Sequence, residues 1–485
     1  MRTPAMVITS PDSFPGAPLW RAEDAAAATG GRAVGTWAAR GVCLDSRRVT
    51  PGDLFIALPG ARVDGHAFVA RALAEGAAAA MVSAPPEGVD AARLLIVEDV
   101  LKGLEGLAAA ARARTRARLV AITGSVGKTG TKEMLGAAFE AAGPGPIHIT
   151  RGNLNNHIGC PLTLARMPIE TSRAVIEMGM NHPGEIAPLS RLARPHVALI
   201  TTIEAVHLAH FAGLEGIADA KAEIFAGMAP EGIAVLNRDN DQFDRLARLA
   251  ALKGLEVVPF GSCRGCAARL DRIEAEGEGS RVTAWLHGHL LTYRLAQPGR
   301  HIALNSLGAL AAVAALGDDP EPAAAALARL GAPPGRGRRS RIALPAGGHL
   351  DLIDDSYNAS PAAVRAALAA LPAVGAGRRL LALGEMLELG EAAEALHAGL
   401  AESVLAAGVA KVFTVGGAAR ALLDALPAER RGGHAETAEG LTEAVLTEAA
   451  AGDLLLIKGS RGRRMDRLID ALSAVAPTQP PNNQQ

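Results

Sequence analysis

The apolar positions of this chain fall in short runs ended by glycine or a charged residue, with alanine-rich segments of helical spacing between them. Runs of this length bounded by turn residues read as buried strands. The first are Gly52 to Leu58, Ala78 to Val82 and Leu94 to Val97, with Ala67 to Glu75 suited to a helix. Leu101 to Arg118 reads as a helix delivering the chain to the strand Leu119 to Ile122. Ala174 to Glu177, Val197 to Thr202 and Ile233 to Asn237 follow as strands, with helical patterns between them. Such alternation predicts parallel sheets with crossover helices. The cluster Ala332-Pro333-Pro334-Gly335-Arg336-Gly337-Arg338-Arg339 breaks the pattern and marks a boundary. It resumes at Leu350 to Asp354, Arg379 to Gly384, Lys411 to Val415 and Asp453 to Lys458. The tail from Pro477 is polar and proline-rich, a composition expected to be disordered. The whole predicts an α/β chain of three domains, residues 1–99, 100–332 and 333–485, in line with the roughly three domains that its length suggests.

The strand at Leu119 runs into Thr123-Gly124-Ser125-Val126-Gly127-Lys128-Thr129. Small residues at Gly124, Ser125 and Gly127 let successive backbone N–H groups close round a polyphosphate, and the positive end of the following helix points at it. Lys128 would reach the β- and γ-phosphates, and the Thr129 hydroxyl would hold Mg²⁺. The longer form of this motif has glycine where Ile122 stands, so this is a shortened P-loop. A glycine turn without a phosphate is disfavoured by the Lys-Thr pair directly after a β-branched strand. The central domain is therefore expected to bind a mononucleotide on a parallel sheet, flanked by a small N-terminal α/β domain and a Rossmann-like C-terminal one.

Composition narrows the setting. Hydrophobic residues make 49% of the chain and charged residues 20%, enough for several cores. No apolar run approaches the roughly 18 residues needed to span a bilayer. The N-terminal segment is broken by proline and polar residues before a secretory apolar core could form, which points to the cytoplasm. A net charge of −1 without a basic block argues against nucleic-acid binding. Four cysteines make no disulfide framework, and the isolated Cys263-x-x-Cys266 lacks partners for zinc, so it reads as two loop thiols, with a redox role as the alternative. The chain has seven lysines against 42 arginines. A lysine is thus a candidate for a site that needs a compact ammonium or a primary amine.

Glu177 ends an apolar strand next to the P-loop, where a carboxylate is placed to ligate Mg²⁺. His207 follows the strand Val197 to Thr202 and is a candidate for a second metal. Lys221 lies on a predicted helix among inward-facing Ala, Ile and Phe. An ammonium buried beside Mg²⁺ would be repelled, which poses a puzzle for a cationic lysine. Lys458 and Arg461 stand just past a strand at the carboxyl edge where open α/β sheets place ligands, and such a pair suits a carboxylate.

Taken with Arg151-Gly152-Asn153-Leu154-Asn155-Asn156-His157, Glu177-Met178-Gly179-Met180, Ala220-Lys221-Ala222-Glu223-Ile224-Phe225, Gly335-Arg336-Gly337, Asp354-Asp355-Ser356-Tyr357-Asn358 and Lys458-Gly459-Ser460-Arg461, the sequence resembles the Mur ligases from about residue 18 to residue 473. The resemblance is strongest to the member that adds a dipeptide. It implies an ATP-dependent amide ligase that makes an acyl phosphate from the carboxylate of a UDP-N-acetylmuramoyl-tripeptide, which the amine of D-alanyl-D-alanine displaces. It implies ATP bound by Gly124, Ser125, Val126, Gly127, Lys128 and Thr129, with His301 and Asn305 near the adenine and Arg336 and Asp355 near the nucleotide. It implies two Mg²⁺ ions, one held by Thr129 and Glu177 and a second by His207 with Lys221 as its carbamate, which removes the puzzle of the misplaced cation. Ser46 and Arg47 would meet the uridine diphosphate, Asn155 and Asn156 the muramyl substrate, and Tyr357, Asn358, Lys458 and Arg461 the peptide and dipeptide. A monomer, without nucleic-acid or membrane partners, is the expected state.

Two positions depart from the family pattern. Gly130 stands where threonine is usual, and glycine in the first helical turn costs about 1 kcal/mol of propensity. Ser360 replaces a usual asparagine, which puts the contact made there in question. The nearest rival is a neighbouring member of the family, such as the ligase adding the third residue or a folylpolyglutamate synthase, and the Asp-Asp-x-Tyr-Asn element speaks against both. A rival of a different class is a P-loop switch that binds ATP without amide chemistry. It would need neither the helical Lys221 nor a third domain carrying Lys458 and Arg461.

Overall fold

A computed structural model describes residues 17–60, 63–205, 211, 213–371 and 377–475. His207 and the tail from Pro477 lie outside the described residues.

Three larger sheets organise the chain. In the first, the strands Gly41–Cys43, Asp53–Ile56, Ala79–Val82 and Leu94–Ile96 are parallel neighbours, and Arg32–Ala33 adds an antiparallel edge. The second is nine-stranded. At its centre the P-loop strand Arg118–Thr123 lies between Arg173–Glu177 on one side and Val197–Ile200 on the other. The chain therefore winds away from the P-loop strand in both directions, and the crevice at such a switch point is where ligands bind. Leu119 and Ala121 face one core, Val120 and Ile122 the other, so the strand is covered on both faces as parallel sheets require. The third sheet has the order Arg338–Ala343, His349–Asp355, Leu454–Lys458, Arg379–Gly384, Val409–Val415 and Arg431–Ala435, with only the first strand antiparallel.

The central sheet extends well beyond the strands expected from the sequence. Glu256–Gly261 extends it in parallel, and Ala268–Glu276, Gly279–Leu286 and His289–Leu295 continue it, the last two pairings antiparallel. Val282, Ala284 and Leu286 are buried, as are Tyr293 and Leu295. That alternation is the signature of a strand with one covered face.

The units are joined by packing. Helix Val100–Arg114 places Leu104, Leu107 and Ala111 in the core of the first sheet, and Leu162 and Ala165 of helix Gly159–Ala165 enter the same core. The Trp20 indole donates to the Ala165 carbonyl at 2.9 Å, and Arg166 Nε donates to the Val42 carbonyl at 2.6 Å. The first unit thus rests on the segment that immediately follows Asn155 and Asn156. Among the described residues no helix is long and apolar enough to cross a membrane.

Candidate active site

The P-loop turns through two glycines that no other residue could replace without movement. Gly124 has φ +145° and Gly127 φ +88°, backbone conformations that side chains disfavour. A Cβ on Gly124 would lie 1.9 Å from Thr201 Oγ1, and one on Gly127 would lie 2.5 Å from Asn305 Nδ2. The loop is pinned from the next strand: Ser125 N–H donates to the Thr202 carbonyl at 2.8 Å, and Thr201 Oγ1 donates to the Val126 carbonyl at 2.6 Å. Helix Lys128–Ala142 starts directly from Gly127, so its unpaired N–H groups face the loop. Lys128 Nζ donates to the carbonyls of Gly124 and Ser125. Burial, opposed by Glu177 and reinforced by the Arg336 cation, brings its ammonium down to about 8.

Glu177 is 1% exposed at the end of its strand. Its Oε1 accepts from Thr129 Oγ1 at 3.2 Å and from Asn155 Nδ2 at 2.7 Å, while its buried Oε2 has no hydrogen-bond partner. A buried carboxylate oxygen left unpaired is costly, and a hard cation beside a threonine hydroxyl would satisfy it. The donor set fits one Mg²⁺. Its glycine turn, helix start and lysine likewise fit a polyphosphate.

Lys221 is 1% exposed on helix Leu214–Ala222. Burial, and then the Lys128 cation, hold its amine far below the usual ammonium range. It forms no ion pair among the described residues. The puzzle posed by the sequence is therefore present in the structure: a lysine favoured as the free amine, close to a cation.

The third unit reaches the same place. Burial holds His301 below the ordinary histidine value, with Asp355 opposing and Lys458 reinforcing. The Arg336 and Arg461 guanidiniums stack on the Tyr357 ring, 4.0 and 4.8 Å from its centroid. Asp354 ties the Gly335-Arg336-Gly337 turn to this edge. Its Oδ2 accepts from Gly335 N–H at 2.9 Å, and its Oδ1 accepts from Ser356 Oγ at 2.5 Å.

Several expected roles look different in three dimensions. Lys458 is 4% exposed, and its ammonium donates to Asp355 Oδ2 at 2.5 Å and to the Asn358 carbonyl at 3.0 Å. Two of its three donors are thus engaged within the third unit, and Asp355 is engaged with it. Asn358 Oδ1 accepts from Ala359 N–H at 2.9 Å. Asn155 orients Glu177. Asn156 Oδ1 accepts from Ile158 and Gly159 N–H groups at 3.2 and 2.9 Å, fixing the start of helix Gly159–Ala165. Ser46 is buried in the turn Ser46–Arg48, and Arg47 pairs with Asp45 at 2.8 Å with its side chain 74% exposed. Arg47 holds the Asp45 carboxyl down to about 2.

Two contributors were missed. Lys132 is fully buried, donates to the Gly152 carbonyl at 3.3 Å and pairs with Glu133 at 2.8 Å. It ties the P-loop helix to the turn before Asn155, and its scarcity as a lysine was the available signal. Asp354 is the second, its carboxylate anchoring the Gly335 turn and Ser356.

Of the two departures, Ser360 is accounted for and nothing in the surroundings of Gly130 explains a glycine there. Ser360 Oγ accepts from Ala363 N–H at 3.3 Å and caps helix Pro361–Ala369, a task serine and asparagine perform about equally well. A Cβ on Gly130 would meet nothing within 4 Å. Gly130→Ala is therefore expected to stabilise the protein by about 0.5–1 kcal/mol with unchanged turnover; thermal melting that shows no gain would contradict this.

The Mur ligase middle-domain family model matches residues 122–313, the "Mur ligase, glutamate ligase domain" model residues 337–461, and the "Mur ligase family, catalytic domain" model residues 39–115. The chain is 36% identical over 440 residues to the UDP-N-acetylmuramoyl-tripeptide–D-alanyl-D-alanine ligase of Bacillus subtilis, covering 89% of this chain and 93% of the relative. It is 40% identical over 350 residues to the Escherichia coli protein of the same name, covering 72% and 75%. Among solved structures, MurF from Acinetobacter baumannii superposes with a TM-score of 0.81 at 30% identity, covering 94% of this chain and 99% of that one. MurF ligase from Thermotoga maritima in complex with ADP superposes with a TM-score of 0.73 at 27% identity, covering 90% and 97%.

Proposed function

The chain belongs to the Mur ligase family, and from that membership we infer that it joins D-alanyl-D-alanine to a UDP-N-acetylmuramoyl-tripeptide at the expense of ATP, a step in making peptidoglycan precursors. The observation that carries this reading is the meeting of three things at one switch point: a P-loop, a buried carboxylate with an unpaired oxygen, and cations from the third unit.

The substrate carboxylate attacks the γ-phosphorus of ATP, releasing ADP and leaving an acyl phosphate. The amine of the dipeptide then attacks the acyl carbon, phosphate departs, and the amine gives up its proton. Lys128 and the loop N–H groups stabilise negative charge on the phosphoryl group in flight. Thr129 and Glu177 would hold one Mg²⁺, and Lys221 as its carbamate with His207 would hold a second; bound there, the ions neutralise phosphate charge. Asn155 keeps Glu177 turned toward Thr129. Arg336 brings a cation from the third unit toward the phosphates, and His301 and Asn305 line the adenine side. Ser46 and Arg47 meet the uridine diphosphate, and Tyr357 and Asn358 the peptide. Arg461, stacked on Tyr357, receives the dipeptide carboxylate together with Lys458, which its contact with Asp355 holds in place. The division into residues 1–99, 100–332 and 333–485, a monomeric state and a cytoplasmic location complete the proposal; the separate sheets support the division.

ATP consumption that requires both the UDP-muramoyl-tripeptide and D-alanyl-D-alanine is the expected behaviour. Turnover with either alone would return the protein to the class of P-loop switches. Arg461→Ala is expected to raise the KM for the dipeptide about tenfold or more, as loss of a charge-assisted carboxylate contact does, with little change for ATP. An equal rise for both substrates would remove Arg461 from that role.

A further inference from the structure

The Cys-x-x-Cys motif takes no part in ligation, yet its geometry is specific. Cys263 and Cys266 stand in the turn between Glu256–Gly261 and Ala268–Glu276 with their Sγ atoms 3.1 Å apart. A disulfide needs about 2.05 Å between sulfurs, so a shift of roughly 1 Å inside one turn would close it. Cys263 is exposed and Cys266 half-buried, whereas Cys43 and Cys160 are buried. The Arg238 guanidinium, paired with Asp244, also lies against Cys263. Burial, and then the hydrogen bond with Cys263, push the Cys266 thiol up to about 12. The pair thus divides into an accessible attacking thiol and a sheltered resolving one.

The turn is tied to the nucleotide side of the sheet. Ser262, next to Cys263, is held by Asp239, whose two carboxylate oxygens accept from its N–H and its Oγ, both at 2.8 Å. Arg300 donates to Asp239 at 3.0 Å and to Ser262 Oγ at 2.8 Å. Arg300 is the first residue of helix Arg300–Ala315, which carries His301 and also Asn305, the residue packed against Gly127.

We propose that Cys263 and Cys266 form a reversible dithiol–disulfide couple, closed by exchange with a low-molecular-weight disulfide, and that closure loosens the Asp239–Ser262–Arg300 cluster and weakens nucleotide binding. The Cys263 thiolate attacks one sulfur of the small disulfide and expels a thiolate, which takes up the proton Cys263 gave to solvent. Cys266 then loses its proton and attacks Cys263 Sγ, expelling the second small thiolate, which is protonated in turn. Two protein thiols are oxidised and one disulfide is reduced to two thiols. The coupling to affinity rests on the nucleotide reading above; the couple itself does not.

The test uses the full chain equilibrated with mixtures of glutathione and its disulfide, with free thiols counted, the bridge mapped by peptide mass, and ADP affinity measured by calorimetry. The expected result is a Cys263–Cys266 bridge with Cys43 and Cys160 still reduced. The Kd for ADP should rise several-fold and return on treatment with dithiothreitol. Cys266→Ser should keep glutathione on Cys263, and Cys263→Ser should leave Cys266 unmodified. Thiols that stay free, or a bridge that leaves ADP affinity unchanged, overturn the proposal. A reduced chain that does not bind ADP overturns the nucleotide reading instead, and the thiol count tells the two failures apart.

Discussion

Lys221→Ala is expected to leave a folded protein whose ligation rate has fallen by about 10²–10³-fold or more, the scale of losing an electrostatic group at the reacting centre, and which acetate partly restores. The amine is buried and disfavoured as a cation. A free amine is the form that adds CO₂, and the resulting carbamate carries a negative charge. The Lys128 cation that opposes an ammonium at this position attracts a carbamate, so one neighbour both frees the amine and favours its product. Acetate can enter the space left by alanine and supply the same two oxygens. Lys221→Met, which fills that space with an apolar chain, should fold at least as well, remain inactive and resist rescue. Lys221→Arg places an obligate cation where burial is complete, which costs several kcal/mol without a partner. Wild-type turnover in the Met variant, or no carbamate signal by ¹³C NMR in bicarbonate, would end the carbamate hypothesis.

Lys128→Ala is the second large effect, with turnover expected to fall by about 10²–10³-fold while the melting temperature changes little. Among the described residues its ammonium donates to loop carbonyls and belongs to no hydrophobic core. Because burial holds it near 8, the unliganded chain has lost about half of this charge at that pH and loses the rest above it. Anionic phosphates favour the charged form, so nucleotide binding should raise its proton affinity. ADP is therefore expected to bind with proton uptake at pH of about 8 and above, and to bind more weakly as pH rises through that range. Calorimetry in buffers of different ionisation heat reads this directly, and Lys128→Ala should abolish the uptake. Equal proton uptake by the variant would place the titrating group elsewhere.

What the sequence disclosed and what it concealed divide along physical lines. Local pattern found the strand Arg118–Thr123, the helix after it, Glu177 at a strand end and Lys221 on a helix, because each depends on near neighbours. The antiparallel extension from Ala268 to Leu295 was equally local in its alternation and was passed over. Partners across the chain were another matter. Lys458 sits where its motif suggests, but its ammonium also pairs with Asp355, 103 residues away. Asn155 and Asn156 carry the spacing of a substrate motif while their side chains hold Glu177 and a helix start. The resemblance to a family locates residues; it does not say which of their donors and acceptors are already occupied.

The sharing of one core between the first sheet and helix Gly159–Ala165 bears on how the chain is made. Proteins leave the ribosome from the N-terminus, and domains generally fold as units in that order. Here Leu162 and Ala165 close the core of the first unit, so its apolar floor stays open until the P-loop and the strand after it have already emerged. The first unit therefore finishes folding on a surface that the second must supply, and nascent chains paused between the two carry exposed hydrophobic area that only further synthesis, or a chaperone, can cover.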